Sequence, residues 1–306
     1  CEKYNIPTAK FGIFKNIEKA NSFVNQSKFP LVIKADGLAS GKGVYICEDK
    51  KDAKIAIKEI FNGKFGLAKN ILIEEFLQGE EMSYFIVSDG ANIKKFETAQ
   101  DHKRVGEGDT GKNTGGMGSY SPSRLINDDL DKKILEKIIY PTLNALRDMN
   151  SEYKGFLYAG LMIVKNEPYL IEYNIRMGDP ECQVLMMRLQ SDLLEIINNT
   201  IENKLESNEI IWNEKKSITI VLCAKGYPKN NYVKNSEIKN LSKILSDKNM
   251  QIFHAGTYEK NNKTFSNGGR VLNITTCAKN FLEAKNKALV NIKRISWKDG
   301  FFRKDI

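Results

Sequence analysis

A chain of 306 residues, 41% of them hydrophobic, carries enough apolar side chains for a large core and enough length for two or three domains. Its apolar runs break at Gly or Lys well short of the ~20 residues a membrane span needs, and residues 1–25 lack a secretion-signal pattern. The +9 formal charge comes mostly from scattered lysines, without the aromatic, zipper or Cys/His spacings of nucleic-acid modules, so no specific nucleic acid and no membrane is expected as partner. Five cysteines, odd in number and with no C-x-x-C pair, argue against a disulfide framework or zinc site and point to a reducing cytoplasm.

In chain order, 30–36 reads as a short buried strand running into Gly37-Leu38-Ala39-Ser40-Gly41-Lys42-Gly43 and a second strand at 44–47. Apolar spacing at Ala53, Ile57, Ile60 and Phe61 predicts a helix over 51–61. Strands follow at 71–77 and 79–87. The polar, Gly-rich stretch 100–122 reads as a loop too long for an ordinary connection. A long amphipathic helix is expected over 128–149, burying Ile134, Ile138, Leu143 and Leu146. The segments 156–164 and 168–176 form a hairpin across Lys165-Asn166-Glu167, and a helix opens with Asp179 as N-cap and Pro180 in first position. A polar linker at 205–216 leads to a tail with strands at 217–224, 251–258 and 270–276, a turn at Asn261-Asn262 and a helix over 281–294. No repeat is visible. The fold class is α/β of the α+β type.

Chemistry concentrates in a few places. On a strand through 170–176, period-two alternation puts Glu172, Asn174 and Arg176 on one face and Ile171, Tyr173 and Ile175 on the other, toward a core. A carboxylate and an amide oxygen suit Mg²⁺, and a guanidinium suits a phosphate. A half-exposed strand with a surface Glu–Arg pair accounts for the same residues, and for an isolated strand it is the commoner case. Gly37, Gly41 and Gly43 let backbone N–H groups curl toward an anion, flanked by Lys34 and Lys42. The spacing is not that of a Walker A loop; the alternatives are a flap over nucleotide phosphates and an ordinary Gly-rich hairpin. Glu74-Glu75-Phe76-Leu77 is either a plain strand end or an adenine edge reader, with Glu81 placed to accept from ribose hydroxyls. Asp101-His102-Lys103-Arg104 fits a solvated turn as well as a site. The three glycines within Gly115–Gly118 of Asn113-Thr114-Gly115-Gly116-Met117-Gly118 imply unusual dihedrals or close ligand approach. His254 reads as structural. The absence of G-x-S-x-G and of an opening G-x-G-x-x-G argues against a nucleophilic hydrolase and a dehydrogenase.

Taken in series, these segments resemble the ATP-grasp superfamily and, more narrowly, its phosphoribosylamine–glycine ligases. The resemblance rests on Ile6-Pro7-Thr8-Ala9, Val32-Ile33-Lys34-Ala35-Asp36-Gly37-Leu38-Ala39 with Gly41-Lys42-Gly43-Val44, Glu74-Glu75-Phe76-Leu77 with Gly79-Glu80-Glu81, and Gln100-Asp101-His102-Lys103-Arg104. It continues through Asp109-Thr110-Gly111, Asn113 to Gly118, Gly178-Asp179-Pro180-Glu181, His254-Ala255-Gly256-Thr257, Asn267-Gly268-Gly269-Arg270 and Arg303-Lys304-Asp305-Ile306.

What it implies is an ATP-grasp fold with a small α/β C-terminal domain, divided as a residual linker 1–9, flap 10–73, central catalytic part 74–206 and C-terminal domain 207–306. It further implies ATP-driven joining of glycine to 5-phosphoribosylamine by a cytoplasmic monomer. ATP is assigned to Lys34, Gly41, Lys42, Gly43, Glu74, Glu75, Phe76, Leu77 and Glu81, and Mg²⁺ or Mn²⁺ to Glu172 and Asn174. Arg176, Lys42 and Asp101 take catalytic roles; Asp101, Lys103, Asn113, Gly115, Gly116, Asp179 and Pro180 position the substrates. Two departures from the family pattern stand out, and one from many ATP-grasp enzymes. The family's Gly-rich opening domain is not found ahead of Ile6, which leaves open an ATP-binding fragment inactive alone. Ser40 replaces an alanine. Residues 159–164 offer no further acidic metal ligand, so two protein ligands per ion are expected. Another ATP-grasp carboxylate–amine ligase is the remaining alternative.

Overall fold

The computed structural model describes residues 1–37, 43–244 and 247–306. The chain divides into two compact units, Cys1–Glu80 with Met162–Ile171, and Glu81–Leu161 with Glu172–Ile306.

The first unit is built on a four-stranded antiparallel sheet, ordered Phe11–Phe14, Ile71–Glu75, Leu31–Ala35, Val44–Cys47. Leu31, Ile33, Ile71 and Ile73 alternate with half-buried Val32, Lys34, Leu72 and Glu74. The buried set packs on Ala20 and Val24 of helix Ile17–Gln26 and on Ala53, Ala56, Ile57 and Ile60 of helix Lys50–Phe61. Asn16 caps the first helix by accepting from Lys19 N at 2.9 Å, and Asp49 caps the second from Asp52 N at 2.8 Å. Alternation therefore leaves Lys34 and Glu74 on the sheet face away from the helices. The strand Ile71–Glu75 stops there, so Phe76 and Leu77 lie beyond it rather than in a strand over 71–77.

In the second unit, one sheet runs in the order Glu167–Asn174, Lys154–Val164, Glu80–Asp89, Ile93–Lys95, the tip of its hairpin belonging to the first unit. Phe85, Val87, Tyr158, Val184, Leu185 and Ile196 form its core. A second sheet runs Met250–His254, Arg270–Ala278, Lys216–Ala224, Gly118–Ser121, Gln100–Asp101, with Gly300–Phe301 also paired to Lys216–Ala224. Helix Phe281–Ile292 packs against it through Ala284 and Ala288.

Several elements differ from the sequence expectation. The stretch 100–122 is not a loop: Gly118–Ser121 pairs antiparallel with Lys216–Ala224 in the register Ser119–Thr219, and Arg104–Gly106 pairs with Thr110–Asn113. Its Gly and polar residues have weak strand preference; the strand forms because a partner far along the chain supplies the ladder. The same sheet runs across position 206, joining strands on either side of it. The helix over 128–149 is interrupted by a π turn at Leu135–Ile139 between Asp128–Ile134 and Tyr140–Asp148. Pro141 has no N–H to donate, and Thr142 Oγ1 donates to Ile138 O at 2.6 Å just beyond it. The 205–216 segment is packed rather than free. Leu205 is buried, Trp212 meets Phe96 edge-on at 5.3 Å, and buried Arg188 donates to Lys215 O at 2.8 Å and Ser121 Oγ at 2.9 Å. The 251–258 segment splits into Met250–His254 and Thr257–Lys260, the latter turning at Asn261-Asn262 into Lys263–Ser266. Both turn asparagines have positive φ, 52° and 58°. Among the described residues, no helix is long and apolar enough to cross a membrane.

Candidate functional site

In the first unit, Lys34 Nζ lies 2.6 Å from Glu74 Oε2, a diagonal contact between neighbouring strands in the register Val32–Glu74. The lysine assigned to phosphate and the carboxylate assigned to adenine thus neutralise each other. Glu75 Oε1 accepts from Lys10 N at 3.0 Å, and Phe76 is exposed. Ala35 N donates to Gly43 O at 2.9 Å and closes the base of the glycine loop. Gly41 and Lys42 lie outside the described residues.

In the second unit, the strand Glu167–Asn174 carries Glu172 and Asn174 on one face, as alternation predicts, but it ends there. Arg176 has left the strand; its Nη1 donates to Met177 O at 2.8 Å, and Ile175, expected in a core, is 79% exposed. The three-residue face is therefore a two-residue one, because the ladder stops and the chain bends toward buried Gly178. Glu172 is exposed and Asn174 half-buried, and among the described residues neither side chain has a hydrogen-bonding protein partner. Two adjacent uncommitted oxygen ligands fit an ion that keeps most of its positions for water and phosphate, as Mg²⁺ does. Among the described residues, no set of three His, Cys, Asp or Glu side chains offers an alternative centre.

The Asp101–Arg104 stretch is not a solvated turn. Asp101 is strand-paired with Ser119, and its Oδ1 is buried. Lys103 Nζ lies 2.6 Å from Glu81 Oε2, so Glu81, assigned above to ribose, is engaged with a residue assigned to substrate. Glu181, 3% exposed, accepts from Ser83 Oγ at 2.8 Å, and Ser83 Oγ also reaches Tyr158 OH at 3.3 Å. Burial, and then the Glu181 carboxylate, push the Asp101 carboxyl well above the usual range. Burial alone would lower Lys103, yet Glu81 beside it holds the ammonium well above its ordinary value.

Asp179 is not an N-cap. Pro180 occupies that position with no side-chain cap, and helix Glu181–Met186 follows. Asp179 Oδ2 instead accepts from Arg270 Nη2 at 2.8 Å and Oδ1 from Gln183 Nε2 at 2.8 Å. Arg270 Nη1 also donates to Asp179 O at 2.6 Å and Gly115 O at 2.5 Å, while Gly115 N donates to Tyr227 OH at 2.8 Å. Arg270 so ties the Gly115–Gly118 loop to the Asp179-Pro180 step. Asp101, Lys103, Gly115, Gly116, Asp179 and Pro180 are brought together; Asn113 pairs with Arg104 and faces solvent. Arg270, Glu181, Ser83 and Tyr158 were not assigned site roles from the sequence. Only the first two had a signal, their place in the Gly-Gly-Arg and Gly-Asp-Pro-Glu stretches.

Gly116 has φ +113°, and a Cβ there would overlap Pro180 and come within 2.7 Å of Asp101 Oδ1. Gly116→Ala should strain this loop by on the order of 1–3 kcal/mol. With the substrates that the resemblance implies, steady-state kinetics should show kcat/KM falling at least about tenfold.

Residues 1–182 match the family described as phosphoribosylglycinamide synthetase, ATP-grasp (A) domain, and residues 217–306 match the corresponding C domain. The class is thus that of ATP-grasp enzymes. The biotin carboxylase domain of a Hydrogenobacter thermophilus 2-oxoglutarate carboxylase shares the fold, with TM-score 0.72 at 16% identity over 98% of this chain and 65% of that one. A phosphoribosylamine–glycine ligase of Brucella melitensis is 44% identical over 100% of this chain and 72% of its own length. The crystal structure of such a ligase from Thermotoga maritima superposes with TM-score 0.90 at 34% identity, covering 100% of this chain and 76% of that one. The chain belongs to the phosphoribosylamine–glycine ligase family, whose members are carbon–nitrogen ligases.

Proposed function

We propose that this chain joins glycine to 5-phosphoribosylamine in purine biosynthesis, driven by ATP, as a cytoplasmic monomer. The glycine carboxylate attacks the γ-phosphate, giving glycyl phosphate and ADP. The phosphoribosylamine nitrogen then attacks the acyl carbon and expels phosphate, leaving glycinamide ribonucleotide. No side chain acts as nucleophile; such transfer asks for positioning and charge neutralisation. Lys34, Gly41, Lys42 and Gly43 are assigned to the phosphates, Glu74 to Leu77 to adenine, and Glu81 to ribose. Arg176 is assigned to the transferring oxygens. Asp101, Lys103, Asn113, Gly115, Gly116, Asp179 and Pro180 are assigned to the two substrates. Glu172 and Asn174 would hold Mg²⁺ or Mn²⁺, which when bound neutralises charge on the phosphate oxygens.

The observation that most supports this reading is the pair of oxygens at Glu172 and Asn174 that have no hydrogen-bonding partner among the described residues, in a unit that also carries a half-buried, acidic, lysine-bearing cluster. A phosphate-release assay tests it. Release should require ATP, glycine and phosphoribosylamine together. Turnover with another amine in place of phosphoribosylamine would mark a different ligase, and tight ATP binding without turnover an ATP-binding module.

A further inference from the structure

The strand that carries Glu172 and Asn174 stands at the end of its sheet, beside Lys154–Val164, and its ladder stops at Asn174. Strand ends fray first. Two ligand oxygens on the last residues of such a strand need a further anchor to keep a fixed geometry. Tyr173 lies between them in the chain and, by alternation, on the opposite face. Its hydroxyl meets Thr142 Oγ1, which donates to Ile138 O at 2.6 Å. The threonine's single proton is thereby used, so Tyr173 is the donor. A short chain of hydrogen bonds thus runs from Tyr173 through Thr142 to the Ile138 carbonyl, all within the second unit.

The π turn at Leu135–Ile139 aims Thr142 at this contact. It adds a residue to one turn of the helix, and an added residue rotates everything after it by about 100° around the axis. Without that rotation the side chain at 142 would leave the face that meets Tyr173. Thr142 is 7% exposed, and Ile138 and Ile139 of the turn are buried, so little water competes for the bond.

We propose that Tyr173 and Thr142 are positioning residues for the metal site: their hydrogen bond fastens the strand from behind and so sets the spacing of Glu172 and Asn174. The inference rests on the reading of those two residues as Mg²⁺ or Mn²⁺ ligands and adds the pair that holds them. Neither hydroxyl touches the ion. A strand turned at residue 173 carries both neighbours with it, so loss of the bond displaces both ligand oxygens at once. Packing is largely spared, because removing the two oxygens together leaves the Tyr173 ring and an isosteric apolar side chain at 142.

Titration of MnADP into the full chain, followed by water-proton relaxation, reads the site directly. Tyr173→Phe and Thr142→Val should each bind it about three- to tenfold more weakly than the parent, below the roughly 10–100-fold lost with a group bonded directly to a ligand. Metal-free ADP, titrated with a chelator present, should bind to parent and variants alike. The double variant should be no weaker than the poorer single one, since both remove the same bond. Thr142→Ser keeps the hydroxyl and should return binding to within about twofold of the parent. Equal losses for MnADP and metal-free ADP would mark a general structural fault and overturn the proposal. Glu172→Ala separates the two readings. If it weakens MnADP at least about tenfold while Tyr173→Phe stays within about twofold of the parent, the metal site stands and the positioning pair falls. If Glu172→Ala also leaves MnADP binding unchanged, the ion is held elsewhere and the pair falls with that reading.

Discussion

Glu172→Ala should lower kcat by about two to three orders of magnitude and leave the fold in place. The magnitude is that of removing one preorganised electrostatic group from a phosphoryl- or acyl-transfer site. Phosphoryl transfer depends on charge neutralisation, and Asn174 alone offers a neutral amide. The fold survives because Glu172 is exposed and has no hydrogen-bonding protein partner among the described residues. Its Cγ packs against Gly160, a contact that truncation to Ala removes at the surface. Urea denaturation should therefore place the variant within about 0.5 kcal/mol of the parent. The kinetic defect should shrink as Mg²⁺ is raised, since the variant binds the ion more weakly rather than losing the reacting groups. Near-normal turnover at low Mg²⁺ would place the metal elsewhere.

Arg303→Ala should produce the largest loss of stability. Arg303 heads the fully buried side chains by volume. It donates to Asp305 Oδ1 at 2.9 Å, Asp109 Oδ1 at 2.7 Å and Arg104 O at 3.0 Å. It pins the Arg104–Asn113 hairpin, which Asp305 and Glu107 also fasten through Gly108 N at 2.9 Å and Lys304 N at 3.1 Å. Truncation leaves a cavity and an unsatisfied carbonyl. The carboxylates recover some hydration, Asp109 being 64% exposed and Asp305 34%. An expected loss on the order of 3 kcal/mol, at the lower end for a broken buried pair, takes that relief into account. Arg303→Lys should recover part of it, having the charge but not the planar fork.

The same contact has a pH signature. Hydrogen bonding to Arg303 holds the Asp305 carboxyl down to about 2. A depressed folded-state pKa contributes stability above the unfolded carboxylate value of about 4, and that stability drains as pH falls toward the folded value. Denaturation midpoints of the parent should fall across this window, and those of Arg303→Ala should fall less.

Much of the first unit was legible because its signals are local. Short apolar runs marked Leu31–Ala35 and Val44–Cys47 and an apolar stripe marked Lys50–Phe61, while in the second unit period two placed Glu172 beside Asn174. The same rule overran at Arg176, because alternation says which face a residue takes while a ladder lasts, not where the ladder ends. Gly118–Ser121 looked like loop because its pairing partner, Lys216–Ala224, is remote in the chain.

The sequence by itself determined the family, the local elements and the residue types that metal and phosphate chemistry requires, since periodicity and motif are properties of neighbours in the chain. Only the tertiary structure decided that Asp101 Oδ1 is buried, that Ser83 meets both Glu181 and Tyr158, that Arg270 ties two loops together, and that Arg303 is enclosed. Those outcomes depend on desolvation and charge pairing between residues far apart in the chain, and burial exists only once the chain has folded.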